Sequence, residues 1–142
     1  MAGNNDLAAV DTFRLEILTP QKSVFSGEVE SFTAPGESGS FQVLRNHAPL
    51  LSSIAAGEVR LVDQSGDEFI YSTSGGFVEV NHNKANFLAD TLEKKEEIDI
   101  ERARQAKARA EERLKKNDPG TDIARAQAAL LRALNRLKVA ER

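Results

Sequence analysis

Ile98-Asp99-Ile100-Glu101-Arg102-Ala103 opens the stretch that decides how this chain is organised. Alanine-rich, charged sequence continues to Lys116, breaks at Asn117-Asp118-Pro119-Gly120 and resumes to Arg142. Before the break, Ala103, Ala106, Ala110 and Leu114 recur at three- and four-residue spacing; after it, Ile123, Ala126 or Gln127, Leu130, Leu134 and Leu137 do the same. That spacing puts one narrow apolar stripe on each of two helices. The Pro-Gly break is short, so the helices fold back antiparallel with the stripes facing. Alanine permits close approach but buries little area, contributing much less than the roughly 1.5–3 kcal/mol of a buried leucine. The hairpin is therefore expected to be marginally stable. Helices of high intrinsic propensity persist when separated if another surface covers their stripe, so the pattern suits either a switchable arm or a rigid, permanently docked hairpin.

Ahead of this stretch the period changes from 3.6 to two. Phe13–Leu18, Val29–Ala34, Glu58–Val62, Glu68–Tyr71, Gly76–Val80 and Ala85–Ala89 alternate apolar with polar residues, giving at least six strands. Thr19-Pro20, Ser26-Gly27, Pro35-Gly36, Ser65-Gly66-Asp67, Ser74-Gly75-Gly76 and Asn81-His82-Asn83 are turn-forming sets between them. Short, regularly spaced strands imply a sandwich or flattened barrel. No helical run separates them, which argues against a parallel α/β sheet.

Charge is divided unevenly along the 142 residues. Residues 1–90 carry 5 Lys/Arg and 12 Asp/Glu, a net −7, whereas residues 91–142 carry 14 and 10, a net +4, so the chain totals −3. An acidic β domain and a basic arm without aromatic residues make a poor nucleic-acid platform. Anionic small molecules or an acidic protein surface fit the arm better. The absence of cysteine removes disulfides, thiolate metal sites and a cysteine nucleophile. Met1 to Asp11 lacks a basic region and an apolar core, and no run approaches the roughly 18 apolar residues of a membrane span. The chain is expected to be soluble and retained where it is made, without direct membrane insertion.

Catalytic constellations are missing from the sequence. Both histidines, His47 and His82, lie in turn-like segments, and His47 within Asn46-His47-Ala48-Pro49 suits a structural hydrogen bond. Ser74-Gly75-Gly76 leads into a strand, not a helix, so it lacks the helix N-terminus of a phosphate loop and is expected to be a tight turn. No catalytic residue and no metal ligand set is assigned.

Arginine register supplies the one binding constellation. With the turn centred near Pro119, Arg102 stands level with Arg136 and Ala106 with Arg132, while Arg109 lies two turns beyond Arg102 on nearly the same face. Four guanidiniums along one groove repel one another unless carboxylates or an anion intervene, and a polyphosphate offers bidentate partners. The alternative is that they are solvated faces paired with neighbours such as Asp99 and Glu112.

Taken in order, Phe25-Ser26-Gly27, Asn46-His47-Ala48-Pro49-Leu50-Leu51, Ser74-Gly75-Gly76-Phe77-Val78-Glu79-Val80 and Ile98-Asp99-x-x-Arg102-Ala103 resemble the epsilon-subunit family of the F-type ATP synthases, over residues 12–141. The resemblance implies a β + α chain: an N-terminal ten-stranded β-sandwich followed by a C-terminal α-helical hairpin. Residues 1–11 would form a flexible extension, 12–91 the sandwich that contacts rotor and c ring, and 92–142 the regulatory helix-loop-helix arm. It implies a non-catalytic subunit of the central stalk, partnered by the gamma subunit, the c-subunit ring and the catalytic beta and alpha subunits. Its place would be peripheral, on the cytoplasmic face of a bacterial inner membrane.

The same resemblance implies regulation. The arm inhibits ATP hydrolysis when extended along gamma into the catalytic head and relieves it when folded, and its basic charge suits the acidic loop of the beta subunits. In ATP-sensing members ATP is a regulatory ligand of the folded arm. Carried over by motif, its site here is Glu93, Ile98, Asp99, Arg102, Ala103, Arg109, Arg132 and Arg136, with the arginines on the phosphates and the Ile98-Asp99-Arg102 end on the base. Gly39, Ser40, Phe41 and His47 carry over as the loop contacting the c ring and gamma. There the chain departs from the family pattern, with Gly39-Ser40-Phe41-Gln42 and Arg45 and a longer Pro35–Ser38 loop, which bears on coupling. A different class of function, a free-standing β-domain adaptor whose hairpin binds a protein or nucleic acid, is separated from the first by co-purification with a gamma-type subunit.

Overall fold

A computed structural model describes residues 11–116 and 118–142. The expected N-terminal extension falls, apart from Asp11, outside the described residues. Seven strands come first: β1 (Phe13–Leu18), β2 (Ser23–Gly36), β3 (Gly39–Val43), β4 (Leu50–Ile54), β5 (Gly57–Asp63), β6 (Glu68–Asn81) and β7 (Lys84–Lys94). A 3-10 turn at Lys95–Glu97 leads to α1 (Ile100–Lys116) and α2 (Ile123–Ala140).

The strands close on themselves. β1 pairs with β2 and with β7, β7 with β6, β6 with β5, and β5 with β2, while β3 and β4 flank the outer halves of β2 and β6. Closure leaves few edges to manage. The alternation seen in sequence becomes the inside and outside of this ring: Phe13, Leu15 and Ile17 are buried, with Arg14 and Leu18 between and beyond them exposed. Phe32 and Phe87 meet at the centre, ring centroids 5.8 Å apart and tilted by 46°, an arrangement aromatic pairs favour. On the outside, Glu16 accepts hydrogen bonds from Ser26 and Arg14, and these hold its carboxyl below the usual range.

Three strands are long and change partner along their length. β2 leaves β1 for β5 and β3, β6 leaves β5 for β4, and β7 outruns β1 to continue beside β6 alone. Counting the two halves of β2, β6 and β7 separately gives the ten segments of the expected sandwich.

Several expected breaks are absent. Ser26-Gly27 lies inside β2, Pro35-Gly36 ends it, and Gly39–Val43 is an edge strand and not a loop. Ser74-Gly75-Gly76 is not a turn either but a bulge within β6, where the pairing with β7 slips on both sides of Gly75. Glycine is required there: φ is 134° at Gly75 and 148° at Gly76, and a Cβ on Gly76 would sit 2.1 Å from the Leu88 carbonyl oxygen. Thr73 secures the bulge, its Oγ1 donating to the Thr91 carbonyl (2.7 Å) and accepting from the Gly75 N–H (3.2 Å). The bulge bends β6 from one partner to the next and brings Ser72–Ser74 beneath the helices.

The arm folds as a hairpin. Asp99 caps α1 by accepting from the Arg102 N–H (3.0 Å), and Asp122 caps α2 by accepting from the Arg125 N–H (3.0 Å). Its seam buries Ala103 and Ala110 of α1 against Ala126 and Ala133 of α2. Leu134, expected in the stripe, is 41% exposed and borders a groove with Ala56 and Gly57 instead. Close helix packing admits the methyl of Ala133 and turns the larger neighbour outward. Among the described residues no helix is long and apolar enough to cross a membrane.

Candidate functional site

α1 packs on α2, and α2 carries the docking onto β5, β6 and the 3-10 turn. Asn135 is its central fastener: one side-chain amide donates to the Gly57 carbonyl (3.0 Å) and Ser72 Oγ (3.0 Å), and leans on the Thr73 carbonyl (3.4 Å). Arg136 meets Glu93 of β7 through two hydrogen bonds of 2.5 and 3.2 Å. Arg142 forks onto Glu58 of β5 at 2.8 and 3.0 Å, and the ammonium of Lys95 donates to the Arg142 carbonyl. The hydrogen bond to Glu58 holds the Arg142 guanidinium above its ordinary range.

Between the arm and the β domain lies an open cleft of about 1020 Å³, at the upper end of the roughly 300–1,000 Å³ of small-molecule sites. Arg102 and Arg109 line it from α1, and Arg132 and Arg136 from α2. Ala106, Ala110, Ala129 and Ala133 lie between these arginines, and their small side chains leave the space open. Ser72–Ser74 of the bulge and Asp90–Glu93 of β7 form the opposite wall, and Thr19, Gln21 and Lys22 close one side.

The structure therefore gathers five of the carried-over residues, Glu93, Arg102, Arg109, Arg132 and Arg136, around one space. It does not bring Ile98, Asp99 and Ala103 to the lining. Ile98 is buried, Asp99 caps α1, and Ala103 lies in the helix seam. The alternative, pairing of the arginines with Asp99 and Glu112, is not formed among the described residues: Asp99 accepts from a backbone N–H, and Glu112 pairs with Lys116 at 3.1 Å. Among the described residues, Arg102, Arg109 and Arg132 have no carboxylate partner. With Glu93 taken by Arg136, three unpaired guanidiniums share the cleft with one remaining carboxylate, Asp90, and this excess of positive charge favours a polyanion, whose oxygens supply the missing bidentate partners.

Arg113 and Lys22 also border the cleft and were not singled out in sequence. Arg113 carries a signal, standing four residues beyond Arg109 on the same face. Lys22 carries none, because its place depends on strand pairing.

Gly39, Ser40 and Phe41 stand together on β3, opposite Gly36, Pro35 and Ala34 of β2. His47 sits in the turn after β3, its Nδ1 2.6 Å from the Ala48 carbonyl oxygen, the structural bond expected of it. Among the described residues no group of acidic or histidine side chains could hold a metal ion.

Residues 12–95 match the family described as ATP synthase, Delta/Epsilon chain, beta-sandwich domain, and residues 96–141 match ATP synthase, Delta/Epsilon chain, long alpha-helix domain. The chain is 46% identical over 130 residues to the ATP synthase epsilon chain of Desulforamulus reducens, covering 92% of this chain and 98% of that one. It is 47% identical over 129 residues to the ATP synthase epsilon chain of Moorella thermoacetica, covering 91% and 96%. In fold it is similar to a chain of the Euglena gracilis mitochondrial ATP synthase, with a TM-score of 0.82 at 22% identity over 92% of this chain and 82% of that one.

Proposed function

This chain belongs to the ATP synthase delta/epsilon family, and from that premise we propose that it is the epsilon-type subunit of the rotary central stalk, with an arm that regulates ATP hydrolysis. The β domain joins the gamma subunit to the c ring, with Gly39, Ser40, Phe41 and His47 at the ring contact, and performs no chemistry of its own. The arm docked on the β domain is the permissive state. Extended along gamma toward the alpha and beta subunits, it obstructs hydrolysis, its net charge of +4 over residues 91–142 facing an acidic surface. The subunit works as a peripheral part of the enzyme on the cytoplasmic face of a bacterial inner membrane.

ATP is the ligand that favours the docked state. The observation that carries this reading is the cleft itself: Arg102 and Arg109 come from one helix, Arg132 and Arg136 from the other, and Glu93 from the β domain. Separating these elements dismantles the site, so a ligand held there binds the docked form alone. A ligand that binds one state only, at 100 times its Kd, stabilises that state by about 2.7 kcal/mol. That exceeds the roughly 1 kcal/mol of an ordinary polar contact, enough to decide the position of an arm fastened by a few of them. Asp99 and Ile98 contribute by fixing where α1 starts, and Ala103 by letting the helices close.

The chain has no cysteine, so a reversible lock tests the switch. The hydrogen bond from Asn135 to Ser72 marks where α2 lies against β6, and a cysteine pair chosen across that contact with Cβ atoms about 3.5–4.5 Å apart places a disulfide across the docking surface. In the assembled enzyme, the oxidised variant is expected to hydrolyse ATP without inhibition, and reduction is expected to restore inhibition. Equal hydrolysis before and after reduction overturns the reading.

A further inference from the structure

We propose that Lys22 of the β domain is a further contact for the anion held in the arginine cleft, so that the bound nucleotide bridges the β domain and both helices. The inference rests on the nucleotide reading above and deepens it: the site is assigned a third wall, and that wall belongs to the part of the chain that does not move.

Lys22 ends the turn between β1 and β2. The turn is closed tightly, the Thr19 N–H donating to the Lys22 carbonyl at 2.9 Å, Thr19 Oγ1 to the same carbonyl at 3.2 Å, and the Lys22 N–H to Thr19 Oγ1 at 3.3 Å. These bonds fix the origin of the lysine side chain. β1 runs parallel to β7 and stops with Leu18 opposite Leu88, whereas β7 continues to Lys94. The turn thus leaves the sheet beside Ala89 and Asp90, where β7 becomes the cleft wall, and Thr19, Gln21 and Lys22 line the cleft.

Charge singles out Lys22 among the residues of that wall. Residues 1–90 have a net charge of −7, and Lys22 is the one cation they contribute to the lining. Arg14 and Arg60 of the same domain are engaged by Glu16 and Glu68, but Lys22 has no carboxylate partner among the described residues. An ammonium on a short closed turn, bordering a cleft lined by guanidiniums, is placed for a shared polyanion. A ligand that also meets this turn fastens the arm to the β domain directly, and not only one helix to the other.

The test is calorimetric titration of the full chain with ATP, for the wild type, Lys22→Gln and Arg132→Ala. Wild-type binding with an affinity about five-fold weaker in Lys22→Gln, at the scale of one exposed charge-assisted contact, is the expected result. The loss should shrink as salt is raised, and amide exchange at Thr19–Lys22 should slow on adding ATP to the wild type. Equal affinities for wild type and Lys22→Gln, with Arg132→Ala impaired, overturn the third wall and leave the nucleotide reading standing. No binding by the wild type overturns both. Lys22 is exposed, and identical circular dichroism spectra verify that its replacement leaves the fold intact.

Discussion

The two parts of this chain cohere by different physics. The β domain encloses Phe13, Leu15, Ile17, Phe32, Leu61 and Phe87 within a closed ring of strands. The arm buries alanines between its helices and a single larger side chain of α2, Val139, and it bonds to the β domain through Asn135, Arg136 and Arg142. Burying a large apolar side chain is worth about 1.5–3 kcal/mol, whereas a hydrogen bond exchanged with water nets about 0.5–1.5 kcal/mol. The first region is thus held by many strong, undirected terms and the second by few of these and several weak, directed ones. The proposed switch of the arm would draw on this division.

The largest expected effect comes from the core. Phe32→Ala removes a fully buried ring and should cost about 3–5 kcal/mol, seen as a lower urea midpoint. The arm should come loose with it, because its docking surface is the β domain. If Phe32→Ala leaves the β-domain transition unmoved, the contrast breaks.

Asn135→Ala addresses the other region. It deletes the donor to Gly57 and Ser72 and should weaken docking by about 1–3 kcal/mol, the cost of stranding buried partners. Amide exchange should quicken in α1 and α2 and stay unchanged in β1, β6 and β7. If the strands quicken equally, the chain is one cooperative unit and the division is false.

The smallest effect sharpens the contrast from the surface. The folded-state pKa of Glu16 is depressed, first by the Ser26 hydrogen bond and then by Arg14. Its stabilisation is therefore present above the unfolded pKa, near 4.3 for glutamate, and is lost as pH falls through the lower folded value. Glu16→Gln should remove less than about 1 kcal/mol, detectable at neutral pH and vanishing in acid, with no change in arm exchange at either pH.

Much of this architecture was legible in the sequence. Phe13–Leu18 alternates as it folds, and the arginine spacing foretold that Arg102, Arg109, Arg132 and Arg136 would share a space, because a helix converts spacing directly into direction. The bulge at Ser74-Gly75-Gly76 was misread because bulges and turns draw on the same residues. β3 was missed because Gly39-Ser40-Phe41-Gln42 is short and lies at an edge, where pairing with β2 outweighs weak propensity. The Glu93–Arg136 pair, 43 residues apart, and the place of Lys22 at the cleft leave no local trace, since both arise from which strands lie side by side.

The fasteners of the arm cluster at its root. Arg136, Arg142 and Lys95 lie close to the 3-10 turn from which the arm departs, whereas α1 carries the Pro119-Gly120 tip 17 residues farther along, about 25 Å at helical rise. Mechanically this is a lever with its clasp beside its pivot. A push at the tip acts on those bonds with the full length of the helix as moment arm, so a force there parts them at a far smaller value than one applied at the clasp.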